Sequence, residues 1–189
     1  MRIEATADIA HTPQLVFLTL RDRIHELASI MENVESMDVL ERTDDPPFTK
    51  QYNRWQGLKG NIPAIARPFV SRDTVAWFDH ANWDESKLLC QWRVEPIKDR
   101  GIFECHGETT LADNGQGGCK FSLVANLKLH LDKIPGLPKF LARRAEGPVS
   151  RYVAKQMRPN FVAISTSVGD FLDQEHAQEK MDDGKQTPS

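Results

Sequence analysis

Glu104, His106 and Glu108 alternate along one stretch of the chain. On a β-strand, residues two apart project from the same face, so the three would form a row of carboxylate, imidazole and carboxylate. Enclosed in a pocket, such a row suits general acid–base work, because imidazole titrates near neutrality. The residues between and beside them, Phe103, Cys105, Gly107, Thr109 and Leu111, are more apolar and make the better inward face. The acid–imidazole row is therefore expected in solvent. A second departure from plain patterning is a pair of amides, Gln156 and Asn160, four residues apart within the apolar stripe of a helical stretch. A few polar groups in apolar surroundings orient a bound molecule, although two amides can equally sit at the rim of a closed core. The apolar surroundings would be Trp55, Trp77, Trp92 and Phe103 from strands, Phe121, Leu123 and Leu127 along one strand face, and Tyr152, Met157, Phe161 and Ile164 from the helix. With the two amides, these residues are the candidate ligand-binding set.

Other chemistries find little support. His11, His25, His80, His106, His130 and His176 are scattered, with no H-E-x-x-H and no Cys/His pair at ligand spacing, so no metal site and no cofactor are expected. No G-x-S-x-G is present, and Cys90, Cys105 and Cys119 have no His partner in sight, so no catalytic nucleophile is assigned. Gly115-Gln116-Gly117-Gly118 lies between two strand patterns and opens no helix. It reads as a hairpin turn rather than a phosphate loop.

The elements that must position these side chains follow from periodicity. Residues 2–9 alternate, with Ile3, Ala5, Ala7 and Ile9 against Arg2, Glu4, Thr6 and Asp8, the pattern of a half-buried strand. Thr12-Pro13 supplies an N-cap and a proline for the first helical position. Val16, Leu20, Ile24, Leu27 and Met31 continue at helical spacing, as one broken helix or two short ones. From about 33 to 131 the period is two, and six strands are expected: about 34–43, 48–57, 73–82, 87–95, 102–112 and 118–131, separated by Pro, Gly and Asp turns. In the last, Phe121, Leu123, Ala125, Leu127, Leu129 and Leu131 face one way. A short helix over 139–146 is expected to end near Gly147. Pro148 then starts a longer amphipathic helix to about 173, with a kink or break at Pro159. From 175 the composition is charged and poor in apolar residues, which predicts a disordered tail over 175–189 after a single domain, 1–174.

The order of elements is α+β, with no βα alternation, which argues against a doubly wound nucleotide fold. A curved seven-stranded antiparallel sheet wrapped around a long C-terminal helix satisfies it, and the incomplete closure of the two apolar surfaces would leave a cavity. At 189 residues, with 40% hydrophobic and 27% charged, the chain can bury one ordinary core unaided. Its net charge of −3 (24 basic against 27 acidic residues) offers no general field for nucleic acid. An odd number of unpaired cysteines, no apolar leader and no run of about 18 apolar residues point to a cytoplasmic protein with free thiols.

The opening strand with Thr12-Pro13, the Pro-containing apolar insert GNIPAIARPF and the passage LHLDKIPGLPKFLARRAEGPVSRYV together resemble the START-like superfamily, also called Bet v 1-like or the polyketide cyclase and lipid-transport superfamily. Within it the chain is similar to the bacterial domain of unknown function 2505 family. The resemblance covers nearly all of residues 1–174 and implies the helix-grip fold with a pocket between sheet and helix. It implies no reaction, since one fold hosts carriers, receptors and cyclases. Two functional readings follow. One is a non-enzymatic binder or carrier of a hydrophobic small molecule, such as a lipid, isoprenoid or aromatic metabolite. The other is a cyclase/aromatase- or hydratase-type enzyme acting on a hydrophobic carbonyl compound, with His80, Glu104 or His106 as the ionisable group and Tyr152 as a donor. The greasy insert 58–69, flanked by Lys59 and Arg67, could touch a membrane surface or fold over the core as a lid. The basic series Lys139, Arg143, Arg144, Arg151, Lys155 and Arg158 could assist an encounter with anionic lipid.

Overall fold

A computed structural model describes residues 1–31, 34–58, 76–98, 101, 103–133, 136 and 138–183. The side chains of residues 152, 153, 156, 160, 179, 182 and 183 fall outside that description. Strand β1, Arg2–Ile9, is followed by helices α1, Pro13–Asp22, and α2, Ile24–Ala28. Six strands come next: β2, Val34–Asp45; β3, Phe48–Gly57; β4, Ala76–Asp84; β5, Leu89–Pro96; β6, Phe103–Asp113; and β7, Cys119–Leu129. A short 3-10 turn, Leu131–Lys133, precedes helix α3, Lys139–Asp183.

The seven strands form one antiparallel sheet in the order β1-β7-β6-β5-β4-β3-β2. Every strand except β1 is therefore paired with its neighbour in sequence, which a meander with short turns achieves without crossovers. Thr12 caps α1 by accepting the Leu15 backbone N–H on its hydroxyl at 3.4 Å, with Pro13 in the first turn. The broken-or-double helix resolves into two, separated at Arg23, whose φ of −124° lies outside the helical range and ends the first run.

Strict alternation on β7 sets the whole sheet. Cys119, Phe121, Leu123, Ala125, Leu127 and Leu129 are all buried, and the residues between them are not. Residues in register share a face, so the cross-strand pairs propagate that face outward. Leu127 pairs with Cys105, Cys105 with Val94, Val94 with Asp79, and Asp79 with Asn53. This is the concave face. The short helices fill one end of it: Phe17 of α1 is fully buried with its ring edge-on to Trp83 at 5.3 Å, and Gln51 donates to the Arg21 carbonyl at 2.6 Å.

Helix α3 departs from the sequence expectation in two ways. It is continuous through Gly147, Pro148 and Pro159, where a break was expected. Both prolines are exposed, so water can satisfy the carbonyls that lose their helical N–H partners. The helix also continues to Asp183, well into the stretch whose composition predicts a tail from 175. The reason lies outside the hydropathy pattern: His11 Nε2 meets Asp173 at 2.9 Å and Arg23 meets Glu175 at 2.6 Å. Arg23 also lies over the Phe171 ring at 4.4 Å. Residues 184–189 of the expected tail lie outside the described residues.

Candidate functional site

The concave face of β3, β4 and β5 carries a series of indoles with polar partners. Trp55 and Trp77 face each other across β3 and β4 with ring centroids 6.0 Å apart and planes within 6°. Trp92 on β5 donates its indole N–H to Thr109 at 3.2 Å and packs against Phe161 of α3 at 5.9 Å. Trp83 donates to Gln51 at 3.0 Å. A buried indole needs an acceptor for its N–H, and this face supplies them in a row.

Gly107 makes the placement of Trp92 feasible. The two residues are paired across β5 and β6. A Cβ at Gly107 would fall 2.7 Å from the Trp92 ring and 2.2 Å from the Val124 carbonyl oxygen. Only a residue without a side chain lets the indole lie flat against the sheet there.

Among these aromatics stands one carboxyl. Asp79 lies in phase with Trp77, Ala81 and Trp83, facing the concavity. Asn53 donates its Nδ2–H to Asp79 Oδ2 at 3.1 Å, and the Trp55 indole lies close enough to help hold the same carboxyl. Asp79 keeps partial exposure, although protein surrounds its carboxyl. Burial pushes its pKa up to about 6, against the opposing pull of its Asn53 and Trp55 hydrogen bonds. Asn53 itself is only 2% exposed, and its Oδ1 has no hydrogen-bond partner among the described residues. The nearby Cys90 thiol is raised well above its usual value, first by burial and then by the Asp79 charge, so it is an inert core thiol.

The structure distributes the sequence candidates unevenly. Trp77, Trp92, Phe103, Met157, Phe161 and Ile164 are half-buried against the core, so they border whatever space the concavity holds. Trp55 is buried beside Trp77, and Phe121, Leu123 and Leu127 are fully packed beneath. Tyr152, Gln156 and Asn160 lie on α3, and nothing further is described of their side chains. Of the apolar insert, only Leu58 is described, and it is exposed; 59–69 lie outside the described residues.

The ionisable candidates of the enzyme reading lie on the outer face, where the alternation on β6 put the acid–imidazole row. Glu104, His106 and Glu108 face outward, opposite to the buried Cys105, Thr109 and Leu111. Glu104 pairs there with His130 at 2.7 Å, which holds its carboxyl below the ordinary range. His80 is also on the convex face, stacked on Tyr52 at 4.6 Å and 3.9 Å from Glu95. None of the four lies on the concave face. Sequence reasoning missed Asp79 and Asn53. The signal was present: a carboxylate in phase with Trp77, Ala81 and Trp83 breaks an otherwise apolar strand face.

The described residues contain no cluster of His, Cys, Asp and Glu able to hold a metal ion, and no helix long and apolar enough to cross a membrane. Neither a family model nor a curated protein matches the chain, so the narrower resemblance to the domain of unknown function 2505 family gains no support. Solved structures do match. TTHA0849 from Thermus thermophilus is similar at a TM-score of 0.65 and 19% identity, over 90% of this chain and 95% of that one. The Zhui aromatase/cyclase from Streptomyces sp. R1128 is similar at 0.61 and 15%, over 89% and 93%. Ara h 8.0201 is similar at 0.58 and 12%, over 92% and 98%. The chain has the START-like helix-grip fold. The concave face of β3–β5 carries Asp79, and Trp92 upon it meets Phe161 of α3.

Proposed function

We propose that this helix-grip protein binds a hydrophobic small molecule (a lipid, isoprenoid or aromatic metabolite) in the cytoplasm, within a cavity between the concave sheet face and α3. The observation that supports it is the bordering of the β3–β5 face by half-buried aromatics, Trp77, Trp92, Phe103 and Phe161, around the carboxyl of Asp79. Trp55 continues that wall, with Phe121, Leu123 and Leu127 as its floor. Tyr152, Gln156, Met157, Asn160 and Ile164 are the helix contribution. Burying roughly 300 Å² of apolar ligand yields about 7 kcal/mol gross, and the costs of association leave a dissociation constant on the order of micromolar. Native mass spectrometry of protein purified gently from its host, followed by solvent extraction, tests this. A co-purifying apolar compound near one equivalent is expected. An empty protein that also fails to bind a neutral apolar dye such as Nile red would overturn it.

A second reading, an enzyme of the cyclase/aromatase or hydratase type, is favoured by one observation. Asp79 has the elevated pKa that proton transfer near neutrality requires. Such a site would accelerate deuterium wash-in beside the carbonyl of a bicyclic ketone such as 2-tetralone, and lose that acceleration in Asp79→Asn. Uncatalysed exchange in the native protein would exclude it.

The binding reading includes transient contact with a membrane through residues 58–69. Leu58 is exposed at the start of that segment. Phe140 is 70% exposed at the start of α3, and Lys139, Arg143, Arg144, Arg151, Lys155 and Arg158 are exposed along it. Co-sedimentation with phosphatidylglycerol vesicles that weakens as salt rises is expected; no sedimentation at low salt would remove this part of the reading.

A further inference from the structure

Among the described residues, the carboxyl of Asp79 is anchored from β3. Asn53 holds Oδ2 at 3.1 Å from β3, and the Trp55 indole approaches from the same strand. Asp79 lies on the concave face and keeps partial exposure. Across the sheet on β5 its partner is Val94, and along its own strand its same-face neighbours are Trp77 and Ala81. No cation among the described residues pairs with it. A buried carboxyl is normally paired or fully hydrogen-bonded. Behind it, Asn53 Oδ1 is a second buried acceptor with no donor among the described residues. Two acceptors without enough donors, walled by Trp55 and Trp77, form a polar point in an apolar surface. Such points set the orientation and selectivity of a bound molecule.

We infer that Asp79, positioned by Asn53, is a recognition point for a hydroxyl group, so that the ligand is an apolar molecule carrying a phenol or an alcohol. A hydroxyl both donates and accepts. It therefore matches the carboxyl in either protonation state, whereas an ammonium ligand matches only the ionised form and a carbonyl only the protonated form. This inference rests on the binding reading above and specifies the chemistry of its ligand.

The test compares two probes of the same shape, 2-naphthol and 2-methylnaphthalene, each displacing Nile red from the full chain. Each is measured on the native protein and on Asp79→Leu, which replaces the carboxyl by an apolar group of similar volume. The quantity read is the preference for hydroxyl over methyl, not the affinity itself, since methyl is intrinsically the more hydrophobic. The preference should fall by about tenfold in Asp79→Leu, the worth of one hydrogen bond to a charged group. Asn53→Leu, which frees the carboxyl to rotate, should lower it by a smaller factor. Should Asp79→Leu fail to fold by circular dichroism, Asp79→Asn takes its place, with the carboxyl-carbon NMR resonance of Asp79 in the native protein as the second readout. That resonance should shift on adding 2-naphthol and hold still with 2-methylnaphthalene. Displacement by both probes with an unchanged preference and an unmoved resonance would overturn the hydroxyl site and leave the binding function standing. Failure of Nile red to bind at all would overturn the binding function and this inference with it.

Discussion

Asp79 costs the folded state something to ionise, and that cost is measurable. Its pKa is about 6 in the folded protein against an ordinary 3.8, with Asn53 and Trp55 as its hydrogen-bonding neighbours and burial as the larger effect. Between those two values the native state holds more protons than the unfolded state, so stability falls as pH rises through the window and stays lower above it. A difference of about two pH units corresponds to about 3 kcal/mol as an upper bound. Asp79→Asn keeps the shape and removes the charge. It should stabilise the protein by about 1–3 kcal/mol at pH 7.5 and by almost nothing at pH 4, measured by urea denaturation at both. Equal effects at the two pH values would show that the carboxyl is not desolvated. The same residue shows where the sequence is hard to read. Strand β4 presents Phe78, His80 and Asn82 on one side and Trp77, Asp79, Ala81 and Trp83 on the other, so both sides mix aromatic and polar residues. The concave side is settled only by register with β7, three strands away, which no local pattern contains. The β6 row needed no such help, because Cys105, Thr109 and Leu111 already mark its inner face.

Two elements carry predictions of opposite kinds. On β6, Gly107 leaves room for the Trp92 ring and the Val124 carbonyl, so Gly107→Ala must move one of them. A loss of about 1–3 kcal/mol is expected, as for overpacking in a core, together with a changed Trp92 fluorescence, read against Trp92→Phe. An Ala variant as stable as the native protein would mean that the strands relax freely there. On α3, composition misled because the helix past Gln174 is held by charge and not by an apolar stripe. Arg23 reaches Glu175 at 2.6 Å, but the pair is half-exposed, and such pairs contribute about 0–1 kcal/mol. Ending the chain after Gln174 should therefore change stability by no more than about 1 kcal/mol. Leu172→Ala, two residues earlier and 2% exposed, should cost about 2–4 kcal/mol. Thermal denaturation of the two variants side by side checks the contrast; similar losses would show that the last turns of the helix contribute more than their ion pair. The rest of the architecture was legible because it follows from period alone. Six consecutive alternating segments admit a meander to which the first strand adds an edge, and a final amphipathic helix has the open face of that sheet to cover.

At the scale of the whole molecule, the two ends of the concave face differ in how they are filled, and that difference governs how a ligand should alter stability. One end is occupied by the protein itself: Phe17 lies against Trp83, Gln51 is bonded to the Arg21 carbonyl, and Val168 and Leu172 of α3 are buried. The part bordered by Trp77, Trp92, Phe103 and Phe161 is only half-buried, so its apolar surface is incompletely removed from water without a partner. A ligand there binds the folded chain and not the unfolded one, and stabilises it in proportion to the logarithm of its concentration. At a hundredfold excess over its dissociation constant the gain is about 2.7 kcal/mol, which for a chain of this size corresponds to a Tm increase of roughly 5–10 °C. Nile red should produce that increase in the native protein and much less of it in Trp92→Ala, in which the contact between sheet and helix at Phe161 is lost. Phe17→Leu, at the end the protein fills for itself, should lower the starting Tm while leaving the ligand-induced increment intact. An increment abolished by Phe17→Leu but untouched by Trp92→Ala would place the ligand at the α1 end and remove Asp79 from its surroundings.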